Sequence, residues 1–345
     1  MRLPIVSFEH LFRLSDGTGL FEHAELTTPR VEHGYCLDDV ARGLLVAARE
    51  PVPSERLHRL ARTYLRFVID GQTDDGLFHN RRGADGVWAD DAGLEDCWGR
   101  ALWALGTAAT QTQQPALAEQ ALTHFGISSC RRSPSLRATA FAALGAAEVL
   151  TVRPDHRRAQ ALLSNAVKLI GQFQAESPWS WPEPRLRYAN AVLPETLLAA
   201  GAALGDPATV AAGLAMLDWL LDIETADSHL SVTPAHGWKV GEPRPGFDQQ
   251  PIEVAAIADA CARAFTLTGD PKWSDGVLRS AAWFLGDNDV HTALFDPASG
   301  GGCDGLERFG RNENQGAEST LAAISTFQQA HRIAVLDRRG RLSGT

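Results

Sequence analysis

The 345-residue sequence carries adjacent carboxylates, Asp38 and Asp39, in the stretch HGYCLDDVARGLL, at the head of a small-residue, apolar segment. The same arrangement recurs. Apolar segments open with Glu95 and Asp96 in LEDCWGR, Glu195 in NAVLPETL, Glu253 in QQPIEVA and Glu318 in NQGAEST. A first-turn carboxylate interacts well with a helix dipole, which accounts for any one of them. Five helix starts converging on one rim need more, because crowded like charges raise one another's pKa values, a cost usually retained for function. Two carboxylates with separated pKa values can act as general acid and general base. Arg42 follows Asp38 by four residues and Arg100 follows Asp96 by four, so intrahelical pairing is expected to tie up one member of each acidic pair. Arg137 opens a further apolar segment and offsets more of the charge.

Aromatic and amide residues lie in the stretches between these segments. They include Trp88, Trp179, Trp181, Glu183, Tyr188, His236, Trp238 and Asp304, with amides at Asn190, Gln249, Gln250, Asn314 and Gln315. Flat apolar rings beside carboxylates and amides suit a sugar, whose faces stack while its hydroxyls hydrogen-bond; the alternative is that the rings pin loops to the scaffold. Trp179 and Trp181 are two residues apart, so in an extended segment one ring is expected to face a cleft and the other the scaffold. Cys36, Cys97 and Cys303, with His33 nearby, raise the possibility of zinc, but no CxxC or HxxxH pair supports it and no metal or cofactor is assigned. No GxGxxG follows an expected strand, the glycine run SGGGCDGL reading as a loop next to the rim, and P-loop and GxSxG motifs are absent.

Alanine-rich periodic segments position all of this. Helices are expected near 36–49, 54–70, 95–110, 114–127, 135–150, 156–173, 190–204, 207–222, 252–268, 271–286 and 316–331, with a short one in SFEHLFRL. They alternate between all-apolar and one-face-charged types, which implies enclosed and exposed layers. Short proline-bearing turns join each enclosed helix to its exposed partner, whereas most returns are long: 71–94, 174–189, 223–251 and 287–315. GDPATVAAGLAMLDWLL aligns with GDPKWSDGVLRSAAWFL, placing Trp219 over Trp283. Six such hairpins close into an all-α (α/α)6 toroid spanning 1–331, with 332–345 as a tail. The long loops must then gather at the end that carries the amino termini of the enclosed helices.

A formal charge of −10 argues against nucleic acid or an anionic membrane as partner. No apolar run reaches the ~20 residues of a membrane span. The amino terminus lacks a signal-peptide pattern, and five dispersed cysteines read as reduced thiols, so a cytoplasmic location is expected.

The stretches TGLFEHAELTTPRVEHGYCLDDVARGLL, LEDCWGRALWALG, SPWSWPEPRLRYANAVLPETLLAAG, FDQQPIEVAA and NENQGAESTLAA resemble the six-hairpin (α/α)6 glycosidase superfamily. More narrowly, they resemble a bacterial group of this fold, some of whose members are described as glycosyltransferases or occur attached to them. The chain itself shows no Rossmann-type nucleotide-binding region. The resemblance implies a cleft at the amino ends of the inner helices, where carboxylates act on glycosidic bonds. The leading expectation is an inverting glycoside hydrolase acting on an oligosaccharide or glycoside, its two carboxyls about 6.5–9.5 Å apart. Asp39 facing Glu195 is the first choice, with Asp38 and the pair Glu95/Asp96 opposite Glu253 next. Substrate-binding candidates are His33, Trp88, Arg100, Trp179, Trp181, Glu183, Tyr188, Asn190, His236, Trp238, Gln250, Asp304, Asn314, Gln315 and Glu318. Two other classes compete. One is a non-catalytic glycan-binding module working beside a glycosyltransferase. The other is a sugar epimerase or isomerase, which two histidines converging in the cleft, from among His33, His79 and His236, would favour.

Overall fold

The computed structural model describes residues 2–171 and 178–343. Twelve helices are present among them: α1 (Glu9–Arg13), α2 (Leu37–Arg49), α3 (Glu55–Asp70), α4 (Asp96–Gln111), α5 (Pro115–Ser128), α6 (Leu136–Val152), α7 (Arg157–Ile170), α8 (Val192–Leu204), α9 (Pro207–Ile223), α10 (Pro251–Thr268), α11 (Pro271–Phe284) and α12 (Ala317–Ser343). The expected boundaries hold to within a few residues; positions 172–173, assigned to the end of α7, lie outside the described residues. The chain folds as an (α/α)6 toroid. Helices α2, α4, α6, α8, α10 and α12 pack each on the next, and α12 packs back on α2, so the inner ring follows chain order and closes. Helices α3, α5, α7, α9 and α11 lie outside their partners.

The inner helices are small-residue helices because they must approach closely. Buried alanines line α4, α6 and α10, and α4 and α6 meet backbone to backbone. A Cβ on Gly145 would sit 2.1 Å from the Leu102 carbonyl, and one on Gly106 2.2 Å from the Gly145 carbonyl. The outer helices start on conventional signals. Ser54 Oγ caps α3, Asp206 caps α9 and Asp270 caps α11, with proline in the first turn of α5, α9 and α11.

The sixth hairpin joins the two ends of the chain. Its outer member is α1, five residues long, packed against α12. His10 Nε2 meets the Gln315 carbonyl at 2.8 Å, and His331 Nε2 meets the Pro4 carbonyl at 2.7 Å. Helix α12 runs unbroken through Ser343. The segment expected as a tail from 332 therefore continues the last inner helix, since nothing in RIAVLDRR breaks it.

The long loops form a collar over the amino ends of the inner helices. Two- and three-residue antiparallel ladders sew them together: Tyr35–Cys36 with Arg81–Arg82, and Arg185–Leu186 with Trp238–Lys239. A bridge between Gln249 and Leu306 joins two further loops.

The α4–α6 contact yields the first prediction. Gly145→Ala should lower the melting temperature by the equivalent of about 1–3 kcal/mol, since the new methyl meets backbone that cannot swing aside. Gly126→Ala on α5, where a Cβ meets nothing within 4 Å, should be neutral or stabilising. Thermal melts of both variants check the pair; equal shifts would mean that the helices are not in backbone contact.

Candidate active site

Carboxylates gather at the amino-end mouth, but not in the expected pairs. Asp39 is 4% exposed. One Arg42 nitrogen, Nη1, lies 3.4 Å from Asp39 and donates to Glu318 on the neighbouring α12 at 2.7 Å. Arg42 thus pairs with Asp39 and Glu318 rather than with Asp38. Asp38 takes no ion pair among the described residues. Its backbone N–H donates to Asn80 Oδ1, and its own Oδ1 is buried with no hydrogen-bond partner among the described residues. The second expected pair also gives way. Asp96 accepts a hydrogen bond from the Tyr188 hydroxyl, while Arg100 lies with its guanidinium 4.0 Å from the centre of the Phe141 ring. Glu95, the residue before α4, is exposed. Glu95, Asp96, Asn80, Arg81, Asp90 and Tyr188 line a side pocket of about 380 Å³ in this mouth.

Glu253 explains why Glu195 is elsewhere. Its buried carboxylate accepts hydrogen bonds from the backbone N–H groups of Ala189 and Asn190 and from the Asn190 side-chain amide. Arg137, 3% exposed, donates to the Tyr188 carbonyl, to Asn190 Oδ1 and to Glu183. The segment 183–191 is thereby drawn into the ring, and α8 begins below the rim. Glu195 consequently lies beside Arg263 (3.1 Å), which also bonds Glu148, both residues in the carboxyl-terminal halves of their helices. Asp39 and Glu195 belong to separate networks, which removes the facing pair expected from ring order. Likewise Glu253 caps the turn into α8 and bonds neither Glu95 nor Asp96 among the described residues.

Burial sets the protonation of these groups. It pushes Asp39 up to about 7, with Glu318, Glu22 and Asp38 adding to the effect and Arg42 opposing it. Glu253 rises to about 8, from burial and then from Glu224. Asp38 also rises through burial, opposed by Arg100 and Arg42. Glu318 is held below the usual range, the attraction of Arg42 and Arg100 outweighing its burial. One mouth therefore holds an acid that keeps its proton near neutrality and a carboxylate that does not.

The rim contributes groups that the spacing argument missed. His23 Nδ1 and His33 Nδ1 are 3.1 Å apart, their rings edge to face. Glu22, next to His23, is ion-paired with Arg81 and accepts no helix-derived signal, because it precedes the first inner helix in irregular chain. Only an inventory of the non-helical stretch FEHAEL could have flagged the two. Asp304, which accepts from the Gly316 N–H at 2.8 Å, is raised by burial and opposed in part by His23. His79 is set apart from this pair, its Nδ1 2.7 Å from the Asp90 carbonyl and its ring stacked on Trp88. His236 is exposed, on a turn whose carbonyl accepts from Arg185.

The tryptophans pack mainly on one another. Trp181, 4% exposed, stacks on Trp219, and Trp179 meets both Trp219 and Trp238 edge to face. Trp88 packs against Phe67. Two amides are structural: Asn314 Oδ1 accepts from the Leu26 N–H, and buried Gln315 bonds Ser299 and Asp296. Gln250 occupies the position before α10 and is half-buried. The cysteines do not gather. Cys36 has Glu22 and Asp39 as its potential-ligand neighbours, both already facing arginines, while Cys97 Sγ lies 3.7 Å from the Phe78 carbonyl.

No protein-family model matches the chain, and no curated protein matches it in sequence. Solved structures do match in shape. A cellobiose 2-epimerase from Bacillus thermoamylovorans superposes with a TM-score of 0.71 at 11% identity, covering 93% of this chain and 95% of that one. A D-mannose isomerase gives 0.71 at 10%, covering 94% and 95%. The GH76 α-mannanase BT2949 of Bacteroides thetaiotaomicron gives 0.58 at 12%, covering 95% of each. The chain has the six-hairpin (α/α)6 glycosidase fold. No helix among the described residues is long and apolar enough to cross a membrane.

The raised carboxyls make a prediction of sign. The folded state holds protons on Asp39, Glu195, Glu224 and Glu253 that the unfolded chain releases near pH 4. Folding therefore takes up protons between about pH 4 and 8, and stability falls as pH rises through that window. Melting temperature should decline from pH 5 to pH 8, and Asp39→Asn should flatten the decline. A wild-type melting temperature that climbs over this range would show that these groups ionise in the fold.

Proposed function

We propose that the protein is a carbohydrate-processing enzyme working at the amino-end mouth of the ring, and that its reaction is proton transfer beside the carbonyl of a reducing sugar: epimerisation or isomerisation. The contact between His23 and His33 carries this reading. With Nδ1 against Nδ1, one histidine donates and the other accepts. In the neutral pair the donor's Nε2 is then a free base, and the acceptor's Nε2 carries a proton. One contact supplies both halves of an acid–base set. A base removes the proton from C2 of the open-chain aldose, and the bonding electrons form a C1–C2 enediolate with the charge on O1. Return of a proton to the other face of C2 re-forms the C1 carbonyl and gives the epimer; passage of the O2 proton to O1, with return of a proton to C1, forms the C2 carbonyl and gives the ketose. Asp39, Asp304 and Glu318 lie near to accept sugar hydroxyls. The fold is shared with proteins described as a cellobiose 2-epimerase and a D-mannose isomerase, which supports the class.

One observation favours hydrolysis as a second reading. Asp39 and Glu318 share Arg42, and their pKa values are pushed apart, the pattern of a general acid beside a general base.

Proton NMR in D2O separates the readings. Incubated with cellobiose, mannose and a panel of other reducing sugars, the protein should place deuterium at C2 of the epimer or at C1 of the ketose as either accumulates. His23→Asn and His33→Asn should each slow exchange by about 10²–10⁴-fold. Cleavage of a disaccharide without deuterium at carbon would establish the hydrolase instead. Binding without turnover would leave a glycan-binding module.

A further inference from the structure

The opposite end of the ring holds a pit that the mouth chemistry does not use. Its volume is about 870 Å³, and it opens among the carboxyl-terminal ends of the inner helices. The pit contains three arginines and four carboxyl groups, most of them matched. Arg49 bonds Asp259 at 2.9 Å, and Arg263 bridges Glu195 and Glu148. Side-chain amides reinforce the pairs: Gln111 donates to Glu148, and Gln329 donates to Asp259 at 2.5 Å. Charges so matched leave little net field to recruit an ion, and such a set is costly to bury unless it is used or fully bonded.

It is not fully bonded. Glu195 Oε2 and Gln328 Oε1 are buried and have no hydrogen-bond partner among the described residues, although Glu195 is 2% exposed. Both line the pit and both are left without a hydrogen-bond partner; the Glu195 carboxyl, pushed up to about 7 by burial, accepts there when ionised and donates when protonated. Orphaned buried acceptors are few in native proteins and ask for an explanation. Beside them runs an apolar ledge that is open to solvent: Ile5 is 87% exposed, Val335 49% and Leu267 41%. An unmet set of acceptors, nearby donors already in place, balanced charge and an apolar wall together describe a ligand with many hydroxyls, no charge and one hydrophobic face.

We propose that the carboxyl-end mouth is a second binding site, for an uncharged polyhydroxylated molecule of mono- or disaccharide size. The ligand's hydroxyls bond Glu195 Oε2, as donor or acceptor according to its proton, and donate to Gln328 Oε1, while its C–H face lies on Leu267 and Val335. The site is separate from the amino-end mouth. Between them lies a cavity of about 60 Å³, lined by Arg42, Arg100 and Glu318 and by Glu195 and Asp259. That space is too small for a sugar to pass. The inference rests on the groups of this pit alone and not on the reaction assigned to the other end.

Hydrogen-exchange mass spectrometry with millimolar glucose, mannose, cellobiose and maltose tests it. At least one of these sugars should protect peptides covering 259–267 and 328–336. Thr266→Trp, which fills the entrance, and Gln328→Leu, which removes an orphaned acceptor, should each weaken that protection at least tenfold while their melting curves stay cooperative. Protection around residues 33–42 should persist in both variants. The proposal is overturned if none of the four sugars protects the carboxyl-end peptides, if both variants keep full protection, or if inorganic phosphate protects them and the sugars do not.

Discussion

The architecture of the site depends on the carboxylate of Glu253. Buried on α10, it has no arginine bonded to it and is satisfied instead by N–H groups of the chain at Ala189 and Asn190. Arg137 holds the same few residues from the α6 side. An unsatisfied buried carboxyl is expensive, so these bonds hold the loop inside the ring. The consequence is geometric. Helix α8 starts low, Glu195 leaves the rim, and the inner-helix carboxylates divide between two ends. Tyr188, carried by the same turn, is brought to Asp96.

Much of the fold was legible because it follows from periodicity. Alternating all-apolar and half-charged helices, with short turns on one side and long loops on the other, admit few arrangements besides a two-layer ring. The site was less legible, for two reasons. First, helical spacing places a side chain on a face but does not say how deep the helix sits. The Asp39–Glu195 expectation assumed six helices level with one another, and α8 is not level. The i,i+4 pairings failed in a related way. Arg42 found Glu318 on the adjacent α12, and Arg100 found the face of Phe141, because inner-ring neighbours compete with the preceding turn. Second, Glu22 and His23 come from irregular chain ahead of α2, where no periodic pattern applies. The tryptophans show the opposite error. Their loop positions were read correctly, but the two rings both found Trp219, and Trp179 also Trp238, before any cleft.

Electrostatics then gives each end its own character. At the amino end, arginines are outnumbered and carboxyls hold protons or lean on backbone. At the carboxyl end, arginines and carboxylates are matched nearly one to one. The inner helices orient their dipoles the same way. Negative groups thus sit comfortably at the first end, and Arg49, Arg263 and Arg332 are well placed near the second.

The ring is closed by the helix that is made after the other eleven. Five hairpins are local, but the sixth joins α1 to α12, and the α12–α2 contact spans nearly the whole chain. Until α12 emerges, the inner faces of α2 and α10 lack a neighbour and the short α1 has nothing to lie on. The open arc must survive synthesis as a curved stack of hairpins with two apolar ends. A chain truncated before α12 would leave those ends free to find another molecule's, so the last helix guards against association as well as completing the ring.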